Sequence, residues 1–197
     1  MAPPFDYPSA PHVRRHGPRS YADYASFRDW LRDEFSFRCV YCLLRERWVP
    51  GGFHLDHFVP VAAYPEAVMD YDNLLYCCVT CNLAKGYSEV PDPTRTLSAD
   101  TVSVQDDGSL LASTPEAEYL VECLGLNGPR YRHVRRLWMR VVAACASNPD
   151  LLGDILGYPD DLPDLSTRRP PGGNTRPAGL AASHYARRAR GELPDTY

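Results

Sequence analysis

Apolar positions step at helical spacing in some stretches and alternate in others. Tyr24, Phe27, Trp30, Leu31 and Phe35 recur every three or four residues, behind Ser20 as an N-cap with Asp23 three places on. That pattern predicts one helix of ~14 residues running to Ser36. Residues 53–58 are aromatic-rich and stopped by Pro60, which reads as a short strand. Positions 78, 81, 82 and 85 fall at helical spacing, so Asn82 and Lys85 would share one face a turn apart. Alternation over 101–104 and the apolar pair Leu110-Leu111 flank an Asp-Gly turn, a hairpin signal. Thr114, Pro115 and Glu116 then open a helix expected over 115–124 and stopped at Gly125. A longer amphipathic helix is predicted over 130–147. Val134, Leu137, Trp138, Val141 and Val142 would line its apolar face, and Arg132, Arg136 and Arg140 a basic stripe with Arg135 beside it.

The two ends lack such periodicity. Residues 1–19 hold five prolines, two histidines and three arginines, and read as a flexible arm. Residues 159–197 are rich in Pro, Gly, Arg and Asp, and read as a disordered tail in which 178–190 could fold on a partner. Between them, 20–90 forms one unit and 91–158 a hairpin with two helices.

Cysteine spacing adds chemistry. Two Cys-x-x-Cys knuckles, Cys39/Cys42 and Cys78/Cys81, stand far apart in a chain without a secretory leader pattern. Paired knuckles of this spacing are the mark of a tetrahedral four-cysteine zinc site, each tight turn offering two sulfurs to one ion. Cys77, Cys123 and Cys145 are left over, and each is expected to be a small buried residue; Cys77, next to a ligand, could compete for the metal. A net charge of −4 excludes a non-specific nucleic-acid coat but not a nucleic-acid enzyme with local basic stripes. Lys85 is the only lysine, so basic contacts here mean arginine. No apolar run reaches the ~18 residues of a membrane span, and a cytoplasmic protein is expected. Arg45 and Arg47 precede a turn at 50–52, where phosphate positioning and ordinary solvation are both open.

Between the knuckles lie Asp56-His57, Asn73-Leu74 and, closing the segment, Cys78-x-x-Cys81-Asn82-x-x-Lys85-Gly86. This arrangement over 39–86 resembles the HNH nuclease family in its four-cysteine form. The resemblance implies an α+β fold built on a ββα-metal (HNH) finger stapled by a four-cysteine zinc site, here with flanking helices and a small β-hairpin. It implies a metal-dependent DNA endonuclease leaving 5′-phosphate and 3′-hydroxyl ends. It also implies that Asn73 braces the catalytic loop across the hairpin. Asn82 stands where the family often has His, which favours a hard catalytic ion.

The residue types suit that reaction. Hydrolysis of a phosphodiester needs a base for the attacking water and charge stabilisation at the leaving oxygen. Histidine, which titrates near ~6.5 when unperturbed, suits the base and assigns it to His57. Asp56 and Asn82 are oxygen donors suited to Mg²⁺ or Mn²⁺. The zinc would be scaffold, because four cysteines leave no open position. Lys85 could meet a substrate phosphate as a point charge, and Arg132, Arg136 and Arg140 could follow the backbone of DNA or serve as a solvated face. For His54, support of a ligand, phosphate contact and a plain surface position are all open. Strand alternation points His54 and Asp56 one way and His57 the other, so a common site for Asp56 and His57 requires a bulge or strand end between them. Phage defence, restriction and related roles all use such modules, with a companion protein able to supply target choice. Two rivals are a non-catalytic zinc-stapled DNA-binding or protein-interaction module and a nuclease acting on RNA. The first would not require Asp56, His57 and Asn82 together; the second lacks a stacking-aromatic RNA motif.

Overall fold

The computed structural model describes residues 4–49 and 52–197. Met1–Pro3 of the expected arm, and Pro50 and Gly51 of the expected turn, lie outside the described residues. Among the described residues, two two-stranded antiparallel sheets are set among helices, giving an α+β architecture. Helix α1 (Arg28–Glu34) precedes strand β1 (Phe53–His57), strand β2 (Leu74–Cys78) and helix α2 (Val79–Lys85). A single turn, α3 (Pro93–Thr96), leads to strands β3 (Val102–Val104) and β4 (Leu110–Ala112). Helices α4 (Pro115–Cys123), α5 (Pro129–Ala144), α6 (Pro149–Leu156) and α7 (His184–Ala189) complete the chain. Among the described residues no helix is long and apolar enough to cross a membrane.

The centre is the hairpin β1–β2, paired from Phe53↔Cys78 to His57↔Leu74, with α2 following at once. All five β2 residues are buried, and Phe53 stacks on Tyr76 across the pair at 4.9 Å. Gly86 ends α2 at φ +51, a left-handed backbone that glycine enters without the Cβ clash an L side chain meets. Ahead of the hairpin, the helix predicted to run to Ser36 is shorter, 7 residues long. A 3₁₀ turn (Tyr24–Phe27) feeds α1, and the cap is Asp23, whose carboxylate accepts from the Ser26 amide at 3.0 Å. Ser20 has φ +64 and lies outside the helix. Phe27, Trp30 and Leu31 bury the predicted apolar face.

Beyond the hairpin, Thr114 caps α4 as expected, its Oγ1 accepting from the Ala117 amide at 3.3 Å. Helix α5 turns a different face inward. Tyr131, Arg135 and Val142 are its buried residues, while Leu137 is exposed. Arg135 occupies a core position because its guanidinium donates to the carbonyls of Gly108 (2.6 Å) and Leu126. Trp138 stacks on Trp48 at 4.2 Å and 9°, fastening α5 to the segment after the first knuckle.

The segments whose composition reads as arm and tail pack instead. Their contacts are polar, so apolar periodicity carries no trace of them. Asp33 and Glu34 at the end of α1 are both buried, and polar groups from both ends of the chain close on them. His16 Nε2 and His184 Nδ1 donate to the two Asp33 carboxylate oxygens, each at 2.8 Å. Glu34 accepts from His12 Nε2 (2.9 Å), the amides of Arg15 (2.7 Å) and His16 (3.0 Å), and the Tyr71 hydroxyl (3.0 Å). Burial pushes both carboxyls up, but these donors outweigh it: Asp33 lies well below the usual carboxylate range, and Glu34 is lowered to about 2. Further along, Arg176 forms a paired bond to Asp72, and Tyr197 stacks on Tyr158 at 4.4 Å.

Candidate functional site

The four knuckle cysteines converge. Cys39, Cys42, Cys78 and Cys81 are all buried, with their Sγ atoms within 4.8 Å of one another. Zinc–sulfur bonds of ~2.3 Å set tetrahedral sulfurs roughly 3.8 Å apart, and Cys42 and Cys78 Sγ stand at 3.7 Å. The donor set and spacing fit a structural metal such as zinc. Tyr131 on α5 places its hydroxyl 3.2 Å from Cys81 Sγ, closing the site from outside. Cys77 is buried but does not join the cluster, its side chain lying on the opposite face of β2 from Cys78. Cys123 and Cys145 are half-buried and also lie outside it.

Strand alternation then decides the oxygen and nitrogen groups. Strand β1 runs without a bulge to His57 and ends there. Asp56 and His54 face helix α2. The carboxylate of Asp56 accepts from Tyr41 Oη at 2.7 Å on Oδ2 and from Lys85 Nζ at 3.1 Å on Oδ1. Two of its roughly four lone-pair positions stay free. Burial raises its pKa, against the pull of Lys85 and Tyr41. Asn82 donates its amide to His54 Nδ1 at 3.1 Å, which frees Oδ1 to accept or ligate. His54 is therefore the partner of Asn82, half-buried behind it.

His57 takes the other side. Its Nε2 lies 3.0 Å from the Val68 carbonyl. A carbonyl only accepts, so Nε2 carries the hydrogen, and in the neutral ring Nδ1 keeps its lone pair. The ring packs edge-on against Tyr24 at 5.3 Å. Between these groups Asn73 ties down the loop over 58–70. Its Oδ1 accepts from the Val59 amide at 2.8 Å, and its Nδ2 donates to the carbonyls of Val59 (3.1 Å) and Ala67 (3.3 Å). No hydrogen bond among the described residues joins Asp56 to His57; Lys85 bridges them, donating to the Asp56 carboxylate and, at 2.7 Å, to the His57 carbonyl.

Residues 39–88 match the family model described as HNH endonuclease. The chain carries an HNH module. The matched span takes in both knuckles, the hairpin β1–β2 and helix α2, and such a module implies a nucleic-acid substrate. No curated protein matches the chain.

The basic residues expected around the HNH module fare differently. Lys85 does not face a substrate phosphate: it is 1% exposed and committed to Asp56 and the His57 backbone. Arg45 is buried, stacked over Trp48 and Tyr197, and Arg47 donates to the Tyr158 carbonyl, so neither flanks the site. On α5, Arg132 pairs with Asp107, while Arg136 and Arg140 are exposed. No hydrogen bond or ion pair among the described residues links these three to Asp56, His57 or Asn82. Sequence reasoning misses Tyr41 and Tyr24. Tyr41 is hidden as a spacer inside the first knuckle, and Tyr24 as one more apolar step of a helix. Only the paired geometry reveals them.

Proposed function

We propose that this protein is a metal-dependent DNA endonuclease that hydrolyses phosphodiester bonds to 5′-phosphate and 3′-hydroxyl ends. The observation that carries the reading is the His57–Val68 bond, which holds one ring nitrogen protonated and presents the other as a base. Asp56 and Asn82 are the residues that would hold a divalent ion such as Mg²⁺ or Mn²⁺, and each keeps an oxygen lone pair for it. When bound, that ion supplies charge stabilisation for the phosphate and the leaving oxygen. His54 orients Asn82, Asn73 fixes the loop that bears the Val68 carbonyl, and zinc on the four cysteines would tie the segment before β1 to the β2–α2 junction. His57 Nδ1 accepts a proton from the attacking water at the end of β1.

Supercoiled plasmid incubated with wild type and His57→Ala in Mg²⁺, Mn²⁺ or EDTA tests this. Metal-dependent nicking or linearisation by wild type alone is expected. Equal cutting by both proteins removes His57 as the base. Silence from wild type on both DNA and RNA, with binding retained, favours a non-catalytic module.

A further inference from the structure

We propose that Tyr41 is a positioning residue that couples the tetracysteine knuckle to the carboxylate of Asp56; the proposal rests on the reading of Asp56 as a divalent-ion ligand. Tyr41 is the residue before Cys42 in the first knuckle, and its ring is fully buried. A buried phenol requires an acceptor, and Asp56 Oδ2 at 2.7 Å is the one it has. Its own backbone is held as well: the Tyr7 hydroxyl donates to the Tyr41 carbonyl at 2.9 Å. The second donor to Asp56, Lys85, sits four residues after Cys81 on α2. Both groups that set the rotation of Asp56 therefore stand on segments pinned by cysteines of the cluster. A carboxylate on a strand is free to turn about two bonds. Here one oxygen is anchored from each knuckle, and the remaining lone pairs keep a fixed direction. The cluster thus holds the ligand geometry of the nuclease site as well as the fold around it.

Tyr41→Phe keeps the ring and removes only the donor. The direct readout is Mn²⁺ binding to the protein without nucleic acid, by electron paramagnetic resonance, for wild type, Tyr41→Phe, Asp56→Asn and the double variant. Zinc content and the melting curve are followed alongside. Removing a group that orients a metal ligand weakens affinity about 10–100-fold. We expect that loss in Tyr41→Phe, with zinc content unchanged and no further loss when it is added to Asp56→Asn. The Mn²⁺ midpoint for cleavage moves by the same factor, and high metal restores the rate. If Tyr41→Phe binds Mn²⁺ as wild type does while Asp56→Asn binds weakly, the positioning role is overturned alone. If Asp56→Asn binds as wild type does, Asp56 is not a ligand and both proposals fall. A Tyr41→Phe protein that loses zinc or melts early, with additive losses in the double variant, assigns Tyr41 to the fold and overturns the coupling.

Discussion

Glu34 offers the most direct test of how the ends of the chain are held. It is 2% exposed, and four donors converge on it: the His12 ring, the amides of Arg15 and His16, and the Tyr71 hydroxyl. Its pKa is lowered from 4.5 to about 2, because these donors outweigh the upward push of burial. A depressed carboxylate contributes stability that is complete above its unfolded pKa and is lost as pH falls through its folded pKa. A shift of this size at ~1.36 kcal/mol per unit is worth about 3 kcal/mol at pH 7, and roughly 1.5 kcal/mol remains at pH 3. Glu34→Gln keeps the volume, abolishes the titration and turns an amide toward backbone donors. Urea unfolding of both proteins from pH 7 to pH 3 isolates the effect. Loss of metal from the cysteines in acid is common to both proteins and cancels in the difference. The wild-type advantage should be largest at neutral pH and shrink by about half toward pH 3. An advantage that stays constant across this range would refute the argument that Glu34 is held ionised by the arm. The arm, cut by protease, should become accessible in the variant at neutral pH while the HNH module stays intact.

Two further outcomes follow from the site. Asn73→Ala leaves the Val59 amide and two carbonyls without their partner, at about 1–3 kcal/mol for each buried group left unpaired. Cleavage should fall with zinc content unchanged, and Asn73→Asp should be no better because it turns an acceptor toward the two carbonyls; zinc assay beside plasmid cleavage checks both. Cys81→Ser should abolish cooperative unfolding, since structural zinc binding is worth on the order of 10 kcal/mol of folding energy, and a melting curve unchanged in the zinc-free variant would contradict it.

Strand β1, the knuckles and the capped helix α4 were legible because each rests on a local rule: cysteine spacing, an aromatic-rich run stopped by a proline, a threonine before Pro-Glu. The packing of 4–19 and of the C-terminal segment was not, because no local rule describes it. Asp33 and Glu34 look like the solvated end of an amphipathic helix until residues distant in the chain are brought to them, as His184 is to Asp33. The same logic covers Arg135, which a stripe of arginines places on the surface and two backbone carbonyls place in the core. It covers Lys85 too. Helical spacing correctly set Lys85 one turn from Asn82 on a common face, but spacing cannot say what that face meets. Strand β1 brings a carboxylate to it, and a buried ammonium next to a buried carboxylate is held there rather than offered to substrate. Polar residues in this chain are therefore read correctly only in pairs. The functional consequence is that the charge at the centre of the HNH module is balanced internally by Lys85. On the reading of Asp56 as an ion ligand, Lys85 steadies that ligand and leaves contact with the substrate backbone to the ion and to other basic groups.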